Sequence, residues 1–161
     1  MPSFTINDEK EVNNEYSPGV VQDEETLYRI TLHPEHVDED GKILPAAIAS
    51  DDLKSRGFSV ERKNYCNKEN IKKLVDKQIQ KAPDKRDFAE VAYFGCGVVR
   101  QFYFPDDNSI RSFLVIDEAL IDNSAHASIY SALPSITRSN IKKIKQQLLP
   151  LLQTRLCIND L

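Results

Sequence analysis

Apolar and polar residues alternate from Thr26 to Leu32, with Leu27, Arg29 and Thr31 on one side and Tyr28, Ile30 and Leu32 on the other. A period of two makes this a half-buried strand. His33-Pro34 ends it, because proline brings no N–H to a ladder. Phe58-Ser59-Val60-Glu61-Arg62 alternates in the same way and predicts a second, short strand. The period then changes. Ile71, Leu74, Val75 and Ile79 recur at helical spacing after Asn67, whose side chain suits an N-cap, and Pro83 closes the run. Phe88 to Phe104 is rich in aromatic and β-branched residues, interrupted by Gly95-Cys96-Gly97 and stopped by Pro105. It reads as one long bulged strand, or as a helix as far as Tyr93 followed by a strand. Asp106-Asp107-Asn108-Ser109 predicts a turn, and a strand from Arg111 to Ile116 completes a hairpin.

His126 to Ser131 is a further strand, and Pro45 to Lys54 a short helix closed by Gly57. Ser139 caps a last helix with Ile141, Ile144, Leu148 and Leu151 on its apolar face, which Pro150 kinks or ends. Strands and helices mix without strict β-α-β alternation and without internal repeats. The expected class is α+β: one small domain with a mixed or antiparallel sheet and two main helices.

Charge changes the picture at both ends of this domain. Residues 1–25 hold seven carboxylates against Lys10 alone, and residues 1–24, punctuated by Ser17-Pro18-Gly19, read as an acidic flexible arm before an α+β domain of residues 25–161. Residues 54–86 carry eleven Lys or Arg against four acids, so the overall charge of −4 conceals a segregation. Such asymmetry bears on association rather than on fold. Cys66, Cys96 and Cys157 are odd in number and far apart, the pattern of a reduced, cytoplasmic protein rather than of a disulfide framework or zinc knuckle. The first ten residues lack a basic start and an apolar run, so a signal peptide is not expected. No stretch approaches the length of apolar sequence that spans a bilayer, so no membrane association is expected.

The candidate chemistry gathers around three histidines. His33 and His36 sit in Leu32-His33-Pro34-Glu35-His36, and His126 in Asn123-Ser124-Ala125-His126-Ala127. Three imidazoles meeting in a hollow would suit a metal or acid–base centre, with Glu35 and Asp38 to Asp40 as carboxylate support. Against this, His-Pro-Glu-His is not the helical metalloprotease motif, and Pro34 disfavours a helical His33. The bland reading makes these histidines hydrogen-bonded or solvated structural residues, and no cofactor signature is present. Asp38-Glu39-Asp40-Gly41 lacks the order of a calcium loop and reads as a turn. Gly95-Cys96-Gly97 allows a nucleophilic Cys96 served by His126 and Asp122, or an inert core thiol between packing glycines. Lys73, Lys77 and Lys81 line one side of the central helix, with Lys85 and Arg86 just beyond. They form the best candidate binding surface, or a solvated helix face; Arg138, Lys142, Lys143 and Lys145 repeat the choice near the C-terminus.

Leu27-Tyr28-Arg29 with His33-Pro34, Pro45-Ala46-Ala47-Ile48, Phe58-Ser59-Val60-Glu61-Arg62 and Asn123-Ser124-Ala125-His126-Ala127 carry a resemblance. Together they resemble a set of uncharacterised small bacterial proteins with a Tyr-Arg and His-Pro opening, a Ser-Val segment and a late Ala-His-Ala patch. The likeness covers roughly residues 26–135 and departs at Ser124 and in the long acidic arm. That set has no established activity, so the resemblance implies only a bacterial protein whose two histidine patches belong together. The expectation from sequence is a small binding or accessory protein acting through a protein partner. The alternative is a small hydrolase of phosphodiester-type substrates using His33, His36 and His126. Nucleic-acid binding through residues 68–86 is the weakest of the three.

Overall fold

The computed structural model describes residues 4–12 and 14–161. Eight strands and three α-helices are joined by short 3-10 and π turns. The strands are β1 (Thr26–Pro34), β2 (Phe58–Arg62), β3 (Arg86–Gly95), β4 (Tyr103–Phe104), β5 (Asp107–Arg111), β6 (Phe113–Asp117), β7 (His126–Ser131) and β8 (Arg155–Cys157). The helices are α1 (Lys68–Lys81), α2 (Cys96–Arg100) and α3 (Arg138–Leu148). Six strands form one sheet in the order β6-β7-β2-β1-β3-β8, with every neighbouring pair antiparallel, while β4 and β5 make a separate hairpin. The class is α+β.

Residues opposite one another in an antiparallel ladder share a face. Leu27 stands between Arg62 and Phe94, so Leu27, Arg29, Val60, Ala92, Ala127 and Val115 point to one side. On that side the apolar members pack with Ile141, Ile144 and Leu148 of α3 into the main core. Tyr28, Leu32, Ala89 and Val91 point the other way and meet Ile71 and Val75 of α1. The other end of this second face, Leu114, Ile116 and Tyr130, packs against Phe4. Between those two clusters lie Ser59, Glu61 and His126, a polar strip on the same face.

The helix after Asn67 forms as its spacing predicts. The Asn67 side chain accepts from the Asn70 N–H, and the Asn70 side chain accepts from the Asn67 N–H. Elsewhere local details differ. Residues 45–56 form two separate turns, Pro45–Ala47 and Asp52–Arg56, rather than one helix. Phe88 to Phe104 divides into β3, the short helix α2 and β4. Gly95-Cys96-Gly97 starts that helix, where the Cys96 and Gly97 N–H groups donate to Glu25 O and Asp23 O. A Cβ on Gly97 would lie 3.0 Å from Asp23 O, so a glycine permits this close passage of two backbones. Asp107 and its followers are strand, the hairpin turning at Pro105-Asp106. Thr137 rather than Ser139 caps α3, accepting from the Asn140 N–H.

The acidic arm, expected to be loose, is tied to the domain at several points, most of them arginines. Ile6–Lys10 forms a 3-10 turn that buries Glu9. Glu9 accepts from Arg111 Nη1 and Nη2 at 2.8 and 2.9 Å, from Arg100 Nε at 3.2 Å and from Val115 N–H at 2.8 Å. Arg62, 1 % exposed, donates to both oxygens of Glu25 and to the carbonyls of Gly19 and Val20. Arg100 also holds Val21 O and Asp23. Glu9 and Glu25 are thus buried in ion pairs within the protein, and Asp23 is paired at its surface.

Candidate functional site

β1 pairs with β3 along its whole length but with β2 only at Leu27–Arg62 and Tyr28–Glu61. Continuing that register would set Ser59 beside Ile30. The two strands part instead, and the fork between them is a cavity of about 640 Å³. Its walls come from three places: the fork itself (Arg29, Ser59, Glu61), the turn after β1 (Glu35, His36) and the approach to β2 (Asp52, Arg56, Gly57). Arg86 and the α1 residues Leu74 and Gln78 close one side, Asn123 and His126 the other. The volume is within the usual range for a small-ligand site.

Gly57 fixes the approach. Its φ is +91°, and a Cβ there would lie 2.7 Å from Ser128 Oγ and 2.9 Å from the Tyr130 hydroxyl. Only glycine takes both the backbone angle and the space.

The arginines of the cavity differ in how they are satisfied. Arg86 is paired with Glu35 and donates to Gln78 O at 2.5 Å. Arg56 is paired with Asp52 at 3.1 Å. Arg29 has no carboxylate within ion-pair distance among the described residues. It donates from Nη1 to Ser59 O at 2.9 Å, bridging the fork where the ladder has lapsed, and stacks 4.0 Å above the centre of the Phe58 ring. Those contacts use one of its five N–H donors. Burial pushes Arg29 down to about 10, against the opposing fields of Asp52 and Glu61, so it keeps its charge at neutral pH. A half-buried guanidinium with spare donors and no paired anion gains from any further negative charge brought to it.

Two of the three histidines line this cavity. His36 Nε2 lies 3.9 Å from Glu35 Oε2, and burial, aided by Arg29 and Arg86, holds its imidazole below 6.5 despite Glu35. His126 Nδ1 lies 3.6 Å from Glu61 Oε1, while Asn123 Nδ2 donates to the other Glu61 oxygen at 2.9 Å. His33 is not among the lining residues. On the Leu27 side of β1, it stacks on Phe88 with ring centres 4.3 Å apart, its Nε2 2.6 Å from Glu90 Oε1. Among the described residues no three His, Cys, Asp or Glu side chains are grouped to hold a metal ion.

Of the basic candidates, Arg86 belongs to the cavity. Lys73, Lys77, Lys81 and Lys85 are exposed, and α1 turns Leu74 and Gln78 rather than its lysines to the fork. Cys96 is fully buried, and burial pushes its thiol up to about 12 despite Arg100, so it is inert rather than nucleophilic. Asp38 Oδ1 accepts from the Asp40 and Lys42 N–H groups, an Asx turn and not a calcium loop. Sequence reasoning passed over Arg29. The available signal was an arginine on the inward side of an alternating strand, a position that normally holds an apolar residue.

Among the described residues no helix is long and apolar enough to cross a membrane. Compared with family models, with curated proteins and with solved structures, the chain gives no match.

Proposed function

We propose that this chain is a binding protein whose working surface is the fork between β1 and β2, and that it takes an acidic group of a protein partner onto Arg29. The observation that carries this reading is the half-buried Arg29 guanidinium at the fork, which has no carboxylate within ion-pair distance among the described residues. A planar guanidinium fork matches a carboxylate in two parallel hydrogen bonds, and in a low-dielectric cleft such bonds are strong. His126, Asn123 and Ser59 supply further polar contacts around the same space. Neutral His36 adds a donor or acceptor without competing charge.

Fluorescence anisotropy with labelled tetraglutamate tests this. Saturable binding should weaken at least tenfold in Arg29→Gln and as salt rises, since one charge-assisted hydrogen bond contributes about 1.5–3 kcal/mol. Binding unaffected by Arg29→Gln, or none at low salt, removes the reading.

A second reading rests on a separate observation: two imidazoles, each near a carboxylate, line one cavity. It makes the protein a phosphodiester hydrolase acting through His36 and His126, without His33. Turnover of bis(4-nitrophenyl) phosphate abolished by His126→Ala would support it; no turnover across pH 5 to 9 discards it.

A further inference from the structure

Residues 45–50 form a partition. Ala46, Ala47 and Ala49 face the fork, whereas Pro45, Ile48 and Ser50 face a second cavity, of about 620 Å³, on the other side. Its far wall is α3. Arg138, Lys142 and Lys145, at positions i, i+4 and i+7, fall on one side of that helix and line the groove together. Pro45 and Leu149 give it an apolar floor with Ile48 buried beneath, and no carboxylate is among its lining residues.

The cations are unspent. Lys143, one residue away, is paired with Asp106, but Arg138, Lys142 and Lys145 have no ion pair among the described residues. Lys145 is half-buried, and among the described residues its ammonium donates to Ser50 Oγ alone, at 3.5 Å. Burial holds its ammonium below the ordinary lysine range, a cost that a bound anion would offset. The three cations of the far wall thus call for negative charge, and the floor calls for an apolar body.

We propose that this groove binds an amphipathic anion, a phosphate or carboxylate head carried on a small apolar body. The head sits between Lys145, Lys142 and Arg138, and the body lies over Pro45 and Leu149. This site is separate from the fork and does not depend on Arg29. Such a ligand is either a free small molecule or the exposed head of an anionic lipid.

Amide shifts in two-dimensional NMR, at fixed ionic strength, decide the matter with three probes: phenyl phosphate, inorganic phosphate, and phosphatidylcholine vesicles doped with phosphatidic acid. Phenyl phosphate should shift Ile48, Lys142, Lys145 and Leu149 saturably and bind at least tenfold more tightly than inorganic phosphate. Lys145→Gln should weaken it at least tenfold, and Arg29→Gln should leave it unchanged. Vesicle binding with the same Lys145 dependence assigns the head to a lipid; its absence beside phenyl phosphate binding assigns a free molecule. Should Lys145→Gln not fold, the exposed Lys142→Gln carries the same comparison. Equal affinity for inorganic phosphate, indifference to both lysine substitutions, or no saturable shift up to about 10 mM probe overturns the proposal.

Discussion

Glu9→Ala isolates what holds the arm to the domain. The carboxylate accepts four hydrogen bonds, three of them from guanidinium groups that are 13 % and 15 % exposed. Four bonds at the usual value for charged partners would sum to far more than the substitution should cost, because the donors keep other partners. Arg100 retains Val21 O, Asp23 and Val115 O, and Arg111 retains Phe113 O. The Val115 N–H is left without this acceptor inside the core. Opening a buried ion pair from one side costs about 3–5 kcal/mol, and partial exposure of both arginines points to the lower end, about 3 kcal/mol. Urea unfolding followed by circular dichroism measures it, with Glu9→Gln expected to fall between Glu9→Ala and the parent.

The pH dependence gives an independent check. Burial raises the Glu9 carboxyl, but the Arg111 hydrogen bonds, the Val115 N–H and the Arg100 charge outweigh it and leave the group below its ordinary 4.5. A carboxyl lower in the folded than in the unfolded state stabilises above the unfolded value, and the contribution disappears as pH falls through the folded one. The gap between parent and Glu9→Ala should therefore be full at pH 7 and shrink as pH falls below 4.5 through the lower folded value. A loss under about 1 kcal/mol at pH 7, or a gap that widens on acidification, refutes the clamp.

Gly57→Ala should cost about 2 kcal/mol or more by thermal or urea unfolding, since both φ and the Ser128 and Tyr130 contacts reject a Cβ; a neutral effect contradicts the packing around the fork. In native protein, Cys157 is exposed and should be the one thiol that reacts rapidly with a disulfide reagent. Cys96, pushed by burial to about 12, and Cys66, pushed to about 11, should react only on unfolding; fast labelling of Cys96 would show that α2 opens. His36 should titrate below 6.5 by NMR. Its folded value lies below its unfolded one, so its contribution is present above about 6.5 and fades as pH falls through the folded midpoint. A midpoint above 6.5 would mean that burial and the two arginines do not dominate it.

Much of the fold was legible because its periods are clean. Thr26–Leu32, Phe58–Arg62 and His126–Ser131 alternate with β-branched or aromatic residues and lie in strands, and Asn67 with Ile71, Leu74 and Val75 marks α1. Phe88 to Phe104 was ambiguous because a mostly apolar run, its few polar residues at neither period, fits a buried strand and a buried helix alike, and the contacts to Glu25 O and Asp23 O that start α2 at Cys96 come from far off in sequence. β8 spans three residues, too few for a period to register.

The site was legible only in part. His36 and His126 could be named from their patches, but whether they face one hollow depends on which side of β1 each neighbour takes, and on a fork that local pattern does not announce. His33 falls on the other side because the strand runs through it. Arg29 looked like one polar position in an alternating strand. Its meaning came from what is missing around it: acids nearby are committed to Arg56, Arg86, Asn123 and His126. The arm misled for the complementary reason, since acids that look solvated in sequence meet Arg62, Arg100 and Arg111 in space.

The Nε–Hε resonance of Arg29, followed by proton–nitrogen correlation while tetraglutamate is added, reads the proposed contact at the atom that makes it. Its shift should saturate with the dissociation constant found by anisotropy and vanish from the spectrum of Arg29→Gln together with the binding. A peptide that binds while the Arg29 resonance stays in place, or that binds Arg29→Gln equally well, would contradict the assignment of the fork as the binding surface.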